Sequence, residues 1–497
     1  MGRAYDHLAT HFDLIRRLEG AGSLLFWDRA VVMRPGSAPA HARIAAGLAQ
    51  VITEKETDPR IAGWLSESDE ERPALDHWKR ANLDEMRRRH RHATAVPLAL
   101  QVRKAEAAAA LNPVWQRARA DNDFAAFAPG LREMIKLQQE CAAYKAEALG
   151  LSPYDALMDE HDPGVTCAMV DGVFGPLSRE LPRLLEQALA RQSAWKPLPL
   201  AAVHAADAQR ELCELLMKQV GYDFDCGRLD TTAPPFAMPR VPGDTRITTR
   251  YKEDDLRFAL MATLHETGHS MYEYNLPRVW GWQPVGLARG ATLHESQSLM
   301  LEMVACRSPE FVAFVAPLLA ARFGAQDPAY RYDNLLLHYH RVQRNFIRIE
   351  ADQIVYPLHV ILRYDIERAL LDNRLDVADL PQAWNEKMRE LIGVVPPSDA
   401  LGCLQDVHWA FGMFGYFPNY AMGAATAAQL FEAATRADPG ILPSIAKGDF
   451  KPYYAWVKPN VHAKASSEPL ARIIEQATGA PLSADALLRH LRQRYLG

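Results

Sequence analysis

The chain of 497 residues lacks a long hydrophobic run and carries little net charge. No apolar stretch reaches the roughly 20 residues of a membrane-spanning helix, and the N-terminus has no signal-peptide core. A myristoylation signal is also absent, because Asp6 stands where Ser or Thr is needed. The net charge of −5 gives no basic signal for nucleic acid or an anionic membrane. We therefore expect neither kind of partner.

Cysteine is scarce in this chain. The six cysteines are far apart in the sequence, and no two form a Cys-x-x-Cys pair. Without a secretion signal, such cysteines are typical of free thiols in a reducing compartment. The sequence therefore predicts a cytoplasmic protein.

The composition is otherwise that of a globular protein, with 48% apolar and 24% charged residues. Good helix formers with an apolar spacing of three and four predict helices over 97–148, 168–195, 205–220, 293–306, 329–372 and 468–495. The first of these should break near Asn112-Pro113 and Pro129-Gly130. Strand signals are rare, and the best lie at 228–232 and 246–251. We predict a mainly α fold with a small sheet, in a single domain over residues 1–497 with two lobes.

The segment 264–269 carries the most informative motif, a His-Glu-x-x-His pattern formed by His265, Glu266 and His269. Four helical residues advance about 6 Å and slightly more than one turn, so both imidazoles project from one face. They can bind one zinc ion, with Glu266 beside it to act on a water. The alternative is an ordinary helix with surface or capped histidines. The mostly apolar flanks, which end before Pro277, instead predict a buried helix whose polar side chains need a partner such as a metal.

A catalytic zinc needs a third protein ligand and one open position. Glu295, at the start of another apolar helix, is the first candidate, since a following helix supplies the carboxylate in thermolysin-like peptidases. Glu273, one turn beyond His269, and Glu302 are its rivals. The sequence alone leaves this choice open.

Five segments in order resemble the signatures of the carboxypeptidase Taq family of metallocarboxypeptidases, and the resemblance extends over nearly the whole chain. They are 244–248 (Asp-Thr-Arg-Ile-Thr), 265–269 (His-Glu-Thr-Gly-His), 294–297 (His-Glu-Ser-Gln), 347–352 (Ile-Arg-Ile-Glu-Ala-Asp) and 402–409 (Gly-Cys-Leu-Gln-Asp-Val-His-Trp). One signature departs, because the family has His-Pro-Phe where this chain has Pro234-Pro235-Phe236. The missing imidazole leaves the substrate preference near this loop open, whereas the metal motif and Glu266 are unchanged.

The resemblance implies a large helical peptidase with a long central groove flanked by the two lobes, similar in architecture to angiotensin-converting enzyme. It implies a homodimer that releases single C-terminal amino acids from peptides with broad specificity. The cofactor would be zinc, with cobalt as a substitute, held by His265, His269 and Glu295.

In this mechanism, zinc would lower the pKa of its water and polarise the scissile carbonyl, while Glu266 would activate that metal-bound water and pass its proton to the leaving amine. The oxyanion needs further donors. His408 is the first candidate, followed by Tyr416 and Tyr420, because the spacing from His408 to Tyr420 resembles that in related helical oligopeptidases. The tyrosines could instead belong to an aromatic core. Asp406 is a candidate for orienting His408.

Recognition of a free C-terminal carboxylate calls for a buried arginine. Arg348 and Arg246 are the candidates that lie in family segments, and Arg348 is favoured. Either could instead form a structural ion pair, Arg348 with Glu350 or Asp352 and Arg246 with Asp244.

Other functions fit the same segments. A dipeptidyl carboxypeptidase or an endo-oligopeptidase would use the same zinc site on a different peptide bond. A non-catalytic, zinc-containing peptide-binding protein is disfavoured by Glu266, which a purely structural metal site does not need.

Overall fold

The computed structural model describes residues 3–238 and 241–497. The chain divides into two compact units, which are described separately. Unit 1 comprises Met1–Ala93, Lys196–Tyr339 and Ala427–Pro481, and unit 2 comprises Thr94–Trp195, His340–Thr426 and Leu482–Gly497. Both are built mainly from helices, which confirms the predicted mainly α fold. The single domain with two lobes stays a prediction.

The helices alternate with short turns and irregular segments along the whole chain. In chain order they are α1 (Arg3–Trp27), α2 (Ala38–Glu56), α3 (Arg60–Glu71), α4 (His77–Ala95), α5 (Leu98–Asp121), α6 (Phe124–Leu149), α7 (Pro153–His161), α8 (Cys167–Gln192), α9 (Ala206–Val220), α10 (Leu256–Asn275), α11 (Gly290–Leu299), α12 (Pro309–Phe323), α13 (Tyr332–Tyr339), α14 (Val355–Leu371), α15 (Leu380–Ile392), α16 (Pro418–Ala437), α17 (Ile441–Ile445), α18 (Lys451–Asn460), α19 (Leu470–Thr478) and α20 (Asp485–Leu496). Two of the boundaries between the units fall within helices, one in α4 and one in α16.

A three-stranded sheet lies in unit 1. Its strands are β1 (Gly227–Thr231), β2 (Ala237–Met238) and β3 (Thr245–Thr249), in the order β1-β3-β2. β1 runs parallel to β3, with Gly227 opposite Thr245, and β2 runs antiparallel to β3, with Ala237 opposite Ile247. The two predicted strands are confirmed with slightly different ends, and β2 is an edge strand that the sequence did not indicate.

The predicted breaks at two prolines were wrong. Pro113 lies inside α5 and Pro129 inside α6. The chain turns between them at Asn122, which adopts a left-handed backbone with φ of 54°, and the side chain of Asp123 then caps α6. Gly130 is a packing residue, since an added Cβ would lie 2.5 Å from a leucine side chain of α5.

Three other predicted helices are divided in the structure. The segment 293–306 becomes α11 followed by the π-helical turn Met300–Ala305. The segment 329–372 becomes α13 and α14, separated by an irregular stretch with one 3₁₀ turn at Arg348–Glu350. The segment 468–495 becomes α19 and α20. Candidate site residues therefore lie where the regular helices are interrupted.

Each unit has its own buried apolar contacts. In unit 1, Leu8 and Phe12 of α1 belong to a cluster with Ile61 of α3 and Met86 of α4.

In the described ranges, no single helix is long and apolar enough to cross a membrane, although the bent pair Pro284–Ala305 and Pro309–Phe323 passes on length and composition.

Candidate active site

Helix α10 carries the His-Glu-x-x-His pattern. The Asp255 side chain accepts a backbone hydrogen bond in the first turn, and the helix ends at Asn275, two residues before Pro277. Much of α10 is buried, as predicted, and it packs against β3, where the Thr263 hydroxyl donates to that of Thr249 at 3.0 Å. The helix is thus fixed against the sheet on the turn that precedes the motif.

Helix α11 approaches α10 at Gly268. A Cβ at this position would lie 2.3 Å from the carbonyl oxygen of Gln297 and 2.6 Å from the Cα of Ser298. Glycine alone avoids this clash. Gln297 follows Glu295 by two residues, so the close approach brings Glu295 to the histidines of α10.

Three ligand atoms meet between α10 and α11. His265 Nε2 lies 4.0 Å and His269 Nε2 lies 3.6 Å from Glu295 Oε2. Within the part of the chain that the structure describes, the ligand atoms of these three residues all lie within 4.8 Å of one another. A tetrahedral ion with bonds of about 2.1 Å separates its ligand atoms by roughly 3.4 Å. The group is therefore close to the size that one metal ion requires.

The Nδ1 atom of each of the two histidines forms a hydrogen bond to a residue outside this group of three. His265 Nδ1 donates to Glu302 Oε2 at 2.9 Å. His269 Nδ1 donates to the carbonyl oxygen of His294 at 3.1 Å and also lies 2.6 Å from His294 Nδ1. Because a carboxylate and a carbonyl accept hydrogen bonds, each ring carries a hydrogen on Nδ1, and the neutral form that binds a metal has its lone pair on Nε2. Both rings thus offer Nε2 to a metal, and their partners fix the ring orientation.

The two rival carboxylates have other partners and do not belong to the group of three. Glu302 lies in the π-helical turn Met300–Ala305, and Arg307 Nη2 donates to its Oε1 at 3.0 Å. Glu273 Oε1 lies 2.9 Å from His294 Nε2. From the sequence, Glu302 was a candidate ligand, and its contact with His265 was not predicted. The contacts of His294 with His269 and Glu273 were not predicted either. No periodicity in the sequence signals these contacts.

The donor set suits zinc. Two neutral imidazole nitrogens and one carboxylate oxygen are the protein ligands found in many catalytic zinc sites, with a fourth position left for water or substrate. Co²⁺ accepts the same donors, with a lower place in the general affinity order of divalent ions. The residues present therefore fit either metal.

Glu266 lies beside the three ligands without belonging to them. Its side chain is buried, and burial raises the pKa of its carboxyl to about 7, although a backbone hydrogen bond from Ala237 acts in the opposite direction. Ala237 is the first residue of β2, so the edge strand of the sheet contacts this carboxyl. A carboxyl that titrates near neutrality can both accept and release a proton there.

Unit 2 brings His408, Tyr416 and Tyr420 together. His408 Nε2 lies 3.4 Å from the Tyr420 hydroxyl, and the rings of His408 and Tyr416 have centroids 5.9 Å apart. Burial lowers the pKa of His408 to about 4, so the ring is neutral at neutral pH. Phe414 and Phe417 in the same segment are buried, whereas both tyrosines are half-buried. The two tyrosines therefore lie at the less buried side of an aromatic cluster, in which the rings of Phe417 and Tyr420 have centroids 6.2 Å apart.

Arg348 is buried in unit 2 and pairs with Asp406. Its Nη2 donates to Asp406 Oδ1 at 3.2 Å, and its guanidinium lies 4.5 Å from the centroid of the Tyr420 ring. The ion-pair partners considered from the sequence, Glu350 and Asp352, were wrong. Asp352 instead accepts backbone N–H groups at the start of α14.

Asp406 also binds Arg363 of α14, which the sequence did not single out. Arg363 is fully buried, and its Nε donates to Asp406 Oδ2 at 2.6 Å. His408 Nδ1 lies 3.9 Å from Asp406 Oδ1. Burial raises the pKa of Asp406, but Arg363 and Arg348 outweigh burial and hold it well below its ordinary value. In the sequence, Arg363 is indicated as a buried charge only by its position among the apolar residues of α14.

Arg246, the second arginine candidate, lies in β3 of unit 1. It forms the ion pair with Asp244 that the sequence offered as the alternative to substrate binding, with Nε–Oδ1 at 2.9 Å and Nη2–Oδ2 at 2.7 Å, and lies 5.7 Å from the Trp27 ring centroid. Pro234, which replaces the family histidine, is exposed, and its carbonyl accepts from the Thr232 hydroxyl at 2.7 Å. This loop leads directly into β2, the strand that contacts the Glu266 carboxyl.

A mainly helical fold in which one helix carries His-Glu-x-x-His and a following helix supplies a glutamate is typical of metallopeptidases. Comparison with known proteins agrees. The family model described as Carboxypeptidase Taq (M32) metallopeptidase matches residues 7–495. Thermostable carboxypeptidase 1 of Thermus thermophilus is 34% identical over 507 aligned residues, which cover 99% of this chain and 98% of that protein.

Solved structures are similar over the whole length. Metallocarboxypeptidase 1 of Trypanosoma cruzi has a TM-score of 0.97 and 37% identity, with 100% of both chains covered. The M32 carboxypeptidase of Deinococcus radiodurans has a TM-score of 0.93 and 32% identity, with 99% of this chain and 98% of that chain covered. This chain belongs to the carboxypeptidase Taq family of metallopeptidases. The predicted enzyme class, a metallocarboxypeptidase that hydrolyses peptides, is thereby confirmed.

Proposed function

We propose that this metallocarboxypeptidase uses zinc and releases single amino acids from the C-terminus of peptides with broad specificity. The observation that carries the proposal is the meeting of His265 Nε2, His269 Nε2 and Glu295 Oε2, with both Nδ1 atoms already bonded elsewhere. Zinc bound there supplies a Lewis acid that lowers the pKa of a water and polarises the scissile carbonyl.

Glu266 acts as the general base and then as the general acid. It accepts the proton of the attacking water and delivers it to the nitrogen of the leaving amine. Support comes from its position in the same helical turn as the two histidines, from its burial, and from a pKa raised to about 7. The backbone of Ala237 holds the carboxyl in place during both transfers.

His408 and Tyr420 donate hydrogen bonds to the oxyanion that forms on the substrate, with Tyr416 as the other tyrosine candidate. Neutral His408 retains one N–H, and its Nε2 lies 3.4 Å from the Tyr420 hydroxyl, so both groups belong to one cluster. Donors of this kind stabilise the charge that develops in the transition state, and loss of one costs about 10²–10³ in kcat.

Arg348 binds the C-terminal carboxylate of the substrate, and Arg246 is the second candidate. Arg348 keeps a single hydrogen bond to Asp406, whereas Arg246 is held by two hydrogen-bonded atoms of Asp244. Recognition of the carboxylate instead of a side chain would account for broad specificity. Arg348→Ala should impair cleavage of free-carboxylate peptides much more than of C-terminally amidated ones, with Arg246→Ala as the matched comparison. An equal loss on both substrates would make Arg348 a structural residue.

Product analysis tests the reaction. An N-terminally blocked peptide incubated with the enzyme should give, by mass spectrometry, a ladder of single-residue losses from its C-terminus. Paired losses would identify a dipeptidyl carboxypeptidase, and internal fragments an endo-oligopeptidase. A chelator should abolish hydrolysis, and zinc or cobalt should restore it. Metal-loaded protein that binds peptide without cleaving it would be a non-catalytic binding protein.

The homodimer and the cytoplasmic location stay predictions that rest on the family resemblance and on the sequence. Light scattering during size-exclusion chromatography should give twice the mass of one chain, and the mass of a single chain would contradict the dimer. Fractionation of cells that express the protein tests its location.

A further inference from the structure

Two buried arginines share one carboxylate in unit 2. Arg348 donates to Oδ1 of Asp406 through Nη2, and Arg363 lies on Oδ2 with Nε at 2.6 Å and Nη2 at 2.5 Å. The side chains of Arg348 and Arg363 are 7% and 0% exposed, and that of Asp406 is 11% exposed. Charges this deeply buried require compensation, and one carboxylate cannot neutralise two guanidinium groups.

The two arginines make unequal numbers of hydrogen bonds. Arg363 has more hydrogen-bond partners, because its Nε donates to Asp406 and its Nη1 donates to the carbonyl oxygen of His359 at 2.7 Å, and the guanidinium lies 4.6 Å from the Trp384 ring centroid. Arg348 has the single longer bond to Asp406, and its Nε is buried without a hydrogen-bond partner among the described residues. The guanidinium of Arg348 therefore makes fewer hydrogen bonds than that of Arg363.

Other titratable groups nearby do not supply the missing negative charge. Burial lowers the pKa of His408 to about 4 and that of His359 to about 3, so both are neutral at neutral pH. Glu367, on the turn of α14 after Arg363, accepts from the Tyr154 hydroxyl, the indole of Trp409 and a backbone N–H. These three donors are neutral and occupy both oxygens of Glu367, and the arginine with which Glu367 interacts electrostatically is Arg363.

We propose that Arg363 is a positioning residue that keeps Asp406 from neutralising Arg348. By holding Oδ2, Arg363 restricts Asp406 to one contact with Arg348. Without Arg363, Asp406 can turn toward the unbonded Nε of Arg348 and form a bidentate pair through Nε and Nη2. That pair would cancel the charge on which an anionic substrate terminus depends. The inference rests on the proposed role of Arg348 as the carboxylate-binding residue.

Arg363→Met is the main test, because methionine fills the buried space without a charge. The KM for a free-carboxylate peptide should rise about tenfold, equivalent to about 1.4 kcal/mol of binding, while kcat and the cleavage of the amidated peptide change little. Arg363→Lys retains the charge and should give an intermediate KM. The matched control is Arg368→Met on the same helix, whose arginine pairs with Asp171 on the surface and should have no effect.

The double variant Arg363→Met/Asp406→Asn separates positioning from a structural role. Removal of the Asp406 charge frees Arg348 again, so the KM for the free-carboxylate peptide should return toward that of the wild type. A structural role predicts the opposite, a larger loss in the double variant on both peptides. Calorimetric titration of the metal-free protein with an N-acetyl amino acid should show the same loss and recovery of affinity without any hydrolysis.

The outcomes distinguish this inference from the proposed function. If Arg348→Ala impairs free and amidated peptides equally, the role of Arg348 itself fails. If Arg348→Ala discriminates between them but Arg363→Met and Arg363→Lys bind both peptides like the wild type, the positioning role of Arg363 alone is overturned. Circular dichroism of each variant establishes that it is folded, and Arg363→Lys serves if the methionine variant is not.

Discussion

Glu302→Gln is expected to weaken zinc binding about tenfold without removing a ligand. The substitution preserves the size of the side chain and replaces the charged acceptor of His265 Nδ1, across a bond of 2.9 Å, with a neutral amide oxygen. Hydrogen bonds to charged groups contribute about 1.5–3 kcal/mol and neutral ones about 0.5–1.5 kcal/mol. The midpoints of these ranges differ by about 1.2 kcal/mol, which corresponds to a factor of slightly less than ten in Kd. Partners of metal-ligating histidines generally change affinity by roughly 10–100-fold.

The Kd is measured by titrating the metal-free protein with zinc in competition with a chromophoric chelator. Glu273→Gln is the matched control, because the Glu273 side chain is as exposed as that of Glu302, 16% in each case, and also contacts a histidine. That histidine, His294, is not a ligand and itself contacts the ligand His269. The Kd of the control should therefore stay within about threefold of the wild-type Kd. A wild-type Kd for Glu302→Gln, or an equal loss in the control, would refute the reasoning.

Three further substitutions test the site and its surroundings. Glu266→Gln should retain the metal but lower kcat by about 10²–10⁴ because the general base is lost; a kcat near that of the wild type would exclude this role. Glu295→Ala should sharply lower the zinc content measured by elemental analysis, and full retention would point to Glu302 or Glu273 as the ligand. Glu367→Gln tests stability, because burial raises the pKa of Glu367 from its ordinary 4.5 to about 7 in the folded protein. The folded state then binds the proton more tightly, so a stabilisation of about 3 kcal/mol, present below pH 4.5, is lost as the pH rises to 7. Denaturant unfolding between pH 5 and 8 should therefore show a steeper fall for the wild type than for the variant, and equal slopes would contradict the shift.

The parts of the site that could be predicted from the sequence depend on local geometry. His265 and His269 share a face because four residues make about one helical turn, whatever the rest of the fold does. The sheet was visible because threonine and isoleucine cluster in strands. The choice among Glu273, Glu295 and Glu302 was beyond local geometry, because it depends on the contact between α10 and α11.

The parts that could not be predicted depend on contacts between distant segments. Arg363 and Asp406 are 43 positions apart, and no local pattern links them. The same limit explains the wrong helix breaks, because Pro113 and Pro129 are tolerated inside helices that are stabilised by packing against each other. Asn122 ends α5 instead through its left-handed backbone, a conformation that a propensity scale assigns to many asparagines and that only the structure locates.

Because of the contact at Gly268, the two unspecified positions of the metal motif differ in the size of side chain that they accept. Written as a pattern, His-Glu-x-x-His treats the two unspecified residues as interchangeable. In this chain the first of them, Thr267, is fully buried and donates to the carbonyl oxygen of Thr263, so a small side chain is accommodated there. The second has no space for even one methyl group, since α11 lies against its Cα. Gly268→Ala would leave every ligand and the general base in the sequence, yet it would move the helix that carries Glu295. A sequence can therefore satisfy the written motif in full and still lose its metal.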